Sequence, residues 1–246
     1  MRTNISNSCI DRIYLLNETN EQFNYPKIVT IQTSKRPVFN DFFELINNET
    51  DDDGINIISN SDIYFDDSLK YISKYSMSKV LALTRWNTNG IPKLQSTFFY
   101  SQDTWVFFGE VKKVKADFQI GSVGGDNRLA YELKAAGYKV CNPSLTIKTY
   151  HCHTDNFRNS YPKDFAGRVP APYYYPIPVI SFYDKRLLAP AKLLLQISVI
   201  NYWIKQFVLG RLISKYKLIR KRAIESLKRK SPRLFYYLKK SFISNK

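Results

Sequence analysis

Seven short β-branched or aromatic runs, separated by stretches with helical spacing, set the tightest limit on how this chain can fold. The runs are residues 12–16 (RIYLL), 27–31 (KIVTI), 55–59 (INIIS), 80–84 (VLALT), 104–108 (TWVFF), 138–141 (YKVC) and 146–150 (TIKTY). Each has the composition and length of a strand. Between them, residues 39–46 (FNDFFELI) follow Pro37 with helical periodicity, residues 68–75 suit a second short helix, and residues 126–136 (DNRLAYELKAA) suit a third that closes at Gly137. This alternation predicts an α/β fold with a mainly parallel, mixed sheet flanked by helices, because parallel neighbours need a crossover of about this length.

A chain of 246 residues that is 44% hydrophobic, with 9 Gly and 11 Pro, has enough apolar material for a large core. Disordered, collagen-like and disulfide-scaffold classes are excluded. Cys9, Cys141 and Cys152 have no framework or metal-site spacing, so reduced thiols in a cytoplasmic protein are expected. The first residues, MRTNISNSCIDR, lack the apolar stretch of a secretory signal. The charge of +16 is unevenly placed: residues 185–246 hold 17 Lys and Arg against Glu225 alone, which leaves 20 basic and 20 acidic residues in 1–184. A neutral domain over 1–184 and a basic appendage over 185–246 are therefore expected to act separately.

In open α/β sheets ligands sit beyond the carboxyl ends of strands. Three apolar runs discharge into polar residues there: 55–59 into Asn60-Ser61-Asp62, 80–84 into Arg85-Trp86, and 146–150 into His151-Cys152-His153. Asp62 is either a turn residue or, with a histidine from another strand end, a ligand for a hard divalent cation with positions left for phosphate oxygens. If the strand continues through them, His151 and His153 share a face. Asp126, after the glycines at 121, 124 and 125, is either a helix cap or a carboxylate that removes a proton from a hydroxyl nucleophile.

Asn60-Ser61-Asp62, then Gly124-Gly125-Asp126 opening a helix that ends Ala136-Gly137-Tyr138, then Asn142-Pro143-Ser144 and a strand ending in histidine occur in this order. The order resembles nucleotide-sugar glycosyltransferases of the GT-A fold over residues 11–178, among them small bacterial and viral transferases with NSDIYFD, SQDTW and GGDNRLAYELKAAGY-type segments. The resemblance implies a GT-A-like domain that moves a hexosyl or deoxyhexosyl group from a nucleotide diphospho-sugar to a saccharide hydroxyl. It places the metal motif on Asn60-Ser61-Asp62, with Asn replacing the first Asp, and a Mn²⁺ or Mg²⁺ ion on Asp62 with His151 or His153. Asp126 becomes the catalytic base, with Asp103 second. Asn17, Glu18, Arg36, Asn60, Arg85 and Trp86 fall where donor contacts are expected. Trp86 is assigned to stacking on a sugar or to core packing, and inversion of the anomeric centre is expected.

Within residues 187–209 the longest uncharged run has 12 residues, short of the roughly 20 that span a bilayer. Leu193, Ile197, Ile200, Ile204, Phe207 and Val208 fall on one helical face, and basic residues follow. This pattern predicts helices lying on an anionic membrane surface, hence a peripheral position on the inner face and a possible lipid-linked acceptor. A non-enzymatic nucleic-acid-binding or sugar-binding protein is the alternative. The apolar half of the tail has no use in gripping phosphates, so no nucleic-acid partner is expected.

Overall fold

The computed structural model describes residues 2–76, 78–88, 90–152 and 167–179. The chain divides into two units, Met1–Leu193 and Leu194–Lys246, and every described residue belongs to the first. The basic segment 185–246, with its expected membrane helices, lies outside the described residues.

A five-residue helix, α1 (Arg2–Ser6), precedes strands β1 (Ile13–Asn17) and β2 (Ile28–Gln32), which form a separate parallel pair. Helix α2 (Phe39–Glu49) leads to β3 (Ile55–Ser59) and β4 (Ile63–Phe65), and the segment 67–74 is a 3₁₀ run rather than the expected α-helix. Then come β5 (Lys79–Asn87), β6 (Lys93–Leu94), a 3₁₀ turn (Phe98–Tyr100), β7 (Gln102–Phe108), α3 (Gly125–Ala135), β8 (Lys139–Cys141) and β9 (Thr149–His151).

The main sheet has the order β3-β7-β5-β9-β4, with β6 and β8 also paired to β5. The mixed α/β expectation holds, but the mainly parallel sheet does not. Strand β7 runs antiparallel to both β3 and β5, β4 runs antiparallel to β9, and β6 to β5; only β8 and β9 run parallel to β5. The helices are real, yet they do not join paired strands: α2 links β2 to β3, and α3 links β7 to β8, which pairs with β5.

Period-two alternation splits the central strands between two cores. Val80 and Ala82 of β5, with Trp105 and Phe107 of β7, pack against Phe39, Phe43 and Ile46 of α2 and Leu129 and Leu133 of α3. Leu81, Leu83, Val106 and Phe108 face the other way, against Ile63, Phe65, Leu69, Ile72 and Ile147. Phe39 meets Trp105 edge-on, at 6.5 Å between ring centroids and 83°. Burying side chains of this size contributes about 1.5–3 kcal/mol each. At the β4 edge the Asn4 amide stands in for a neighbouring strand, donating to the Ile63 carbonyl (2.9 Å) and accepting from the Phe65 N–H (3.0 Å).

Candidate functional site

The pairing of β7 with β5 contains a bulge. Leu83 faces Thr104 and Thr84 faces Gln102, so Asp103 is the extra residue on β7. A bulge bends its strand and redirects a side chain. Here the redirected group is the Asp103 carboxylate, which pairs with Arg85 Nη1 at 3.0 Å and accepts from Asn60 Nδ2 at 3.2 Å. The neighbouring strand completes the arrangement: Ser59 faces Thr104, and the Asn60 N–H donates to the Asp103 carbonyl at 3.2 Å.

This geometry explains the asparagine at the first position of the Asn60-Ser61-Asp62 motif. An amide there donates to Asp103, whereas a carboxylate would repel it. Asn60→Asp is expected to cost about 1–3 kcal/mol at pH 7 through a lost donor and a new like charge. Urea denaturation should show that cost shrinking at acid pH, where the carboxyls are protonated.

Helix α3 supplies the next group. Its cap position is Gly124, not Asp126, and its φ of +82° belongs to the left-handed region. A Cβ on Gly124 would lie 2.9 Å from the Tyr173 hydroxyl and 3.1 Å from the Val169 carbonyl, so only glycine fits. Asp126 falls in the first turn, and its carboxylate accepts the backbone N–H of Gln102, adjacent to the bulge. Asp126, Asp103, Asn60 and Ser59 line one recess with Phe39, Ile58, Gln102, Trp105 and Ile120.

The electrostatics follow from the placement. Loss of water around Asp126, then the charge of Asp103, push its carboxyl well above the usual range, against the Gln102 N–H and Arg85. Asp103 is also raised: burial acts first, and Arg85 and His151 offset it only in part. Asp62 behaves differently. Burial would raise it, but the hydrogen bond and charge of His151, with help from Arg85, hold it below the ordinary value. The Asp62 and His151 side chains meet at 2.7 Å between Oδ2 and Nε2, with Asp62 45% exposed and His151 11%.

Two expected metal-ligand types, a carboxylate oxygen and an imidazole nitrogen, are thus brought together at the start of β4 and the end of β9, which pair with each other. Among the described residues no group of three His, Cys, Asp or Glu side chains converges to hold an ion. A carboxylate and one imidazole still fit Mn²⁺ or Mg²⁺ when phosphate oxygens and water fill the remaining positions. His153 lies outside the described residues.

The other expected donor contacts divide. Arg36 donates to the Ile120 carbonyl at 3.5 Å and so touches the wall of the recess rather than its interior. Asn17 is occupied by its own loop, accepting from the Thr19 N–H at 3.1 Å and donating to the Glu21 carbonyl at 3.1 Å. Glu18 is exposed, and neither Asn17 nor Glu18 lines the recess. Trp86 is a correction to the stacking assignment: it is 8% exposed, donates its indole N–H to the Ser144 carbonyl at 2.9 Å, and carries Lys148 Nζ over its ring. It is a core residue.

Sequence reasoning missed Gln102, whose backbone fixes Asp126, and the buried polar knot behind it. In that knot the Ser144 hydroxyl accepts from the Thr84 N–H at 2.7 Å, and Asn142 Nδ2 donates to Thr84 Oγ1 at 2.9 Å and the Pro176 carbonyl at 3.0 Å. The available signal was Asn142-Pro143-Ser144, polar residues directly after a strand. Three buried polar atoms around the bulge, Arg85 Nε, Gln102 Oε1 and Thr104 Oγ1, have no partner among the described residues. Such groups are uncommon in a folded interior, where a water, an ion or a ligand usually meets them.

Comparison with family models, curated proteins and solved structures gives no match. Among the described residues no helix is long and apolar enough to cross a membrane.

Proposed function

We propose that this chain is a GT-A-like glycosyltransferase that moves a sugar from a nucleotide diphospho-sugar to a hydroxyl of a saccharide acceptor. The observation that carries the reading is the convergence of Asp126 and Asp103 on one recess, with Arg85 acting on both carboxyls and the Asp62–His151 pair acting on Asp103. Asp126 takes the proton of the acceptor hydroxyl. The oxygen attacks the anomeric carbon opposite the diphosphate, the bond to the diphosphate breaks with its electron pair, and the centre inverts. Arg85 favours the ionised form of Asp103 and holds it in place, and Asn60 holds its second oxygen. A Mn²⁺ or Mg²⁺ ion held by Asp62 and His151, or by His153 in its stead, would offset the charge of the departing diphosphate.

The basic, half-apolar segment 185–246 supports a peripheral position on the cytoplasmic face of a membrane, where a lipid-linked acceptor is confined near the enzyme.

The test is a screen of nucleotide diphospho-sugars for nucleoside diphosphate release by the purified protein, with and without Mn²⁺. One donor should be consumed with metal present, and Asp62→Asn should abolish the metal's thermal stabilisation of the protein. Failure of every donor, with and without metal, would sink the transferase reading.

A further inference from the structure

Beside the recess stands a cluster of tyrosines that the catalytic groups do not use. Tyr100 ends the 3₁₀ turn just before Gln102 and Asp103 and is 54% exposed. Its ring meets Tyr175 edge-on, with centroids 5.7 Å apart at 84°, and Tyr175 in turn meets Tyr173 at 6.4 Å and 62°. The segment carrying Tyr173 and Tyr175 is fastened to the first turn of α3: the Tyr174 N–H donates to the Asn127 carbonyl at 2.9 Å, and Asn127 Nδ2 donates to the Tyr174 carbonyl at 3.2 Å. Val169 N–H donates to the Val123 carbonyl at 2.9 Å. The segment that carries the tyrosines is therefore tied to the backbone on both sides of Asp126, at Val123 and at Asn127.

Resting on the transferase reading, we infer that Tyr100 and Tyr175 form the subsite for the sugar ring of the acceptor. Aromatic rings offer an apolar face to the C–H side of a pyranose while phenol hydroxyls meet its polar rim. Direct displacement also requires the acceptor to approach from the side of the base, across from the diphosphate. The tyrosines are fastened to the Asp126 helix, whereas Asp62 directly precedes β4 and His151 ends β9, the strand paired with it.

The experiment measures nucleoside diphosphate release from the donor, first in water alone and then with a panel of methyl hexosides as acceptors. In the parent at least one methyl hexoside should accelerate release. Tyr100→Ala and Tyr175→Ala should raise the KM for that glycoside about tenfold with a smaller change in kcat, and Tyr100→Phe should restore most of the loss. Tyr100 is exposed, so its replacement leaves the fold intact even if that of Tyr175 does not. Parental KM in Tyr100→Ala, or no acceleration by any methyl hexoside, overturns the subsite while leaving donor turnover in water as support for the transferase. A parent that turns over no donor under any condition removes the transferase and the subsite together.

Discussion

Asp126→Asn is expected to cut sugar transfer by about 10²- to 10⁴-fold, the usual contribution of a positioned base, while leaving a folded protein. The amide oxygen can still accept the Gln102 N–H that now reaches the carboxylate, so the site's geometry is retained. Stability should move the opposite way from activity. The folded-state carboxyl of Asp126 is raised above its unfolded value by burial and by Asp103. Its favourable contribution is therefore complete below the unfolded value near pH 4 and is lost as pH rises through the folded one. At neutral pH the asparagine variant should melt higher than the parent, at about 2–4 °C per kcal/mol regained for a chain of this size, and the difference should vanish near pH 4. In the parent, kcat/KM should climb with pH over a range displaced above that of ordinary carboxylates. Equal rates in parent and variant would remove Asp126 from the chemistry.

Arg85→Met is expected to be the most damaging single change to the fold near the site. The Arg85 and Asp103 side chains are 14% and 8% exposed, so removing the guanidinium leaves a buried carboxylate with Asn60 as its remaining side-chain donor. Breaking such a pair from one side typically costs about 3–5 kcal/mol. Because Asp103 already lies above its ordinary value through burial, the penalty belongs to its ionised form. It should be full at neutral pH and fade as acid protonates the group. Chemical denaturation at two pH values measures this, and Arg85→Met combined with Asp103→Asn should recover much of the loss. A pH-independent cost, or no recovery in the double variant, would show that Arg85 acts through packing alone.

The elements themselves were largely legible. Residues 55–59 form β3 as expected, and the runs at 80–84 and 104–108 lie within β5 and β7. Strand direction was not legible, for a physical reason. All seven residues of β7 are buried, and its second half, residues 105–108, is apolar on both faces, a pattern that is the same whether the neighbours run parallel or antiparallel. Strand β4 was missed because its three residues, Ile63–Phe65, sit among Asn60, Asp62, Asp66 and Asp67. Its alternation of buried and half-buried residues is too short to stand out.

The same gap hid part of the site. Asp62, Asp126 and His151 were each visible as polar residues after an apolar run or at the start of a helix, and Asp103 entered only through the family resemblance. The contact between Asn60 and Asp103 needs the antiparallel register of Ser59 with Thr104, and no local pattern carries that register. Trp86 shows the reverse error. Its position after β5's apolar run suggested a ligand, but it lies within the strand, whose nine residues continue to Asn87.

The additional residue at Asp103 interrupts the ladder of β5 with β7 and is held by Arg85 and Asn60. A chain one residue shorter at that point would form a more regular ladder between β5 and β7, yet would lose the acidic group from the cavity wall. Shortening this stretch would therefore trade a more regular ladder against a mostly buried guanidinium, Arg85, left without its carboxylate.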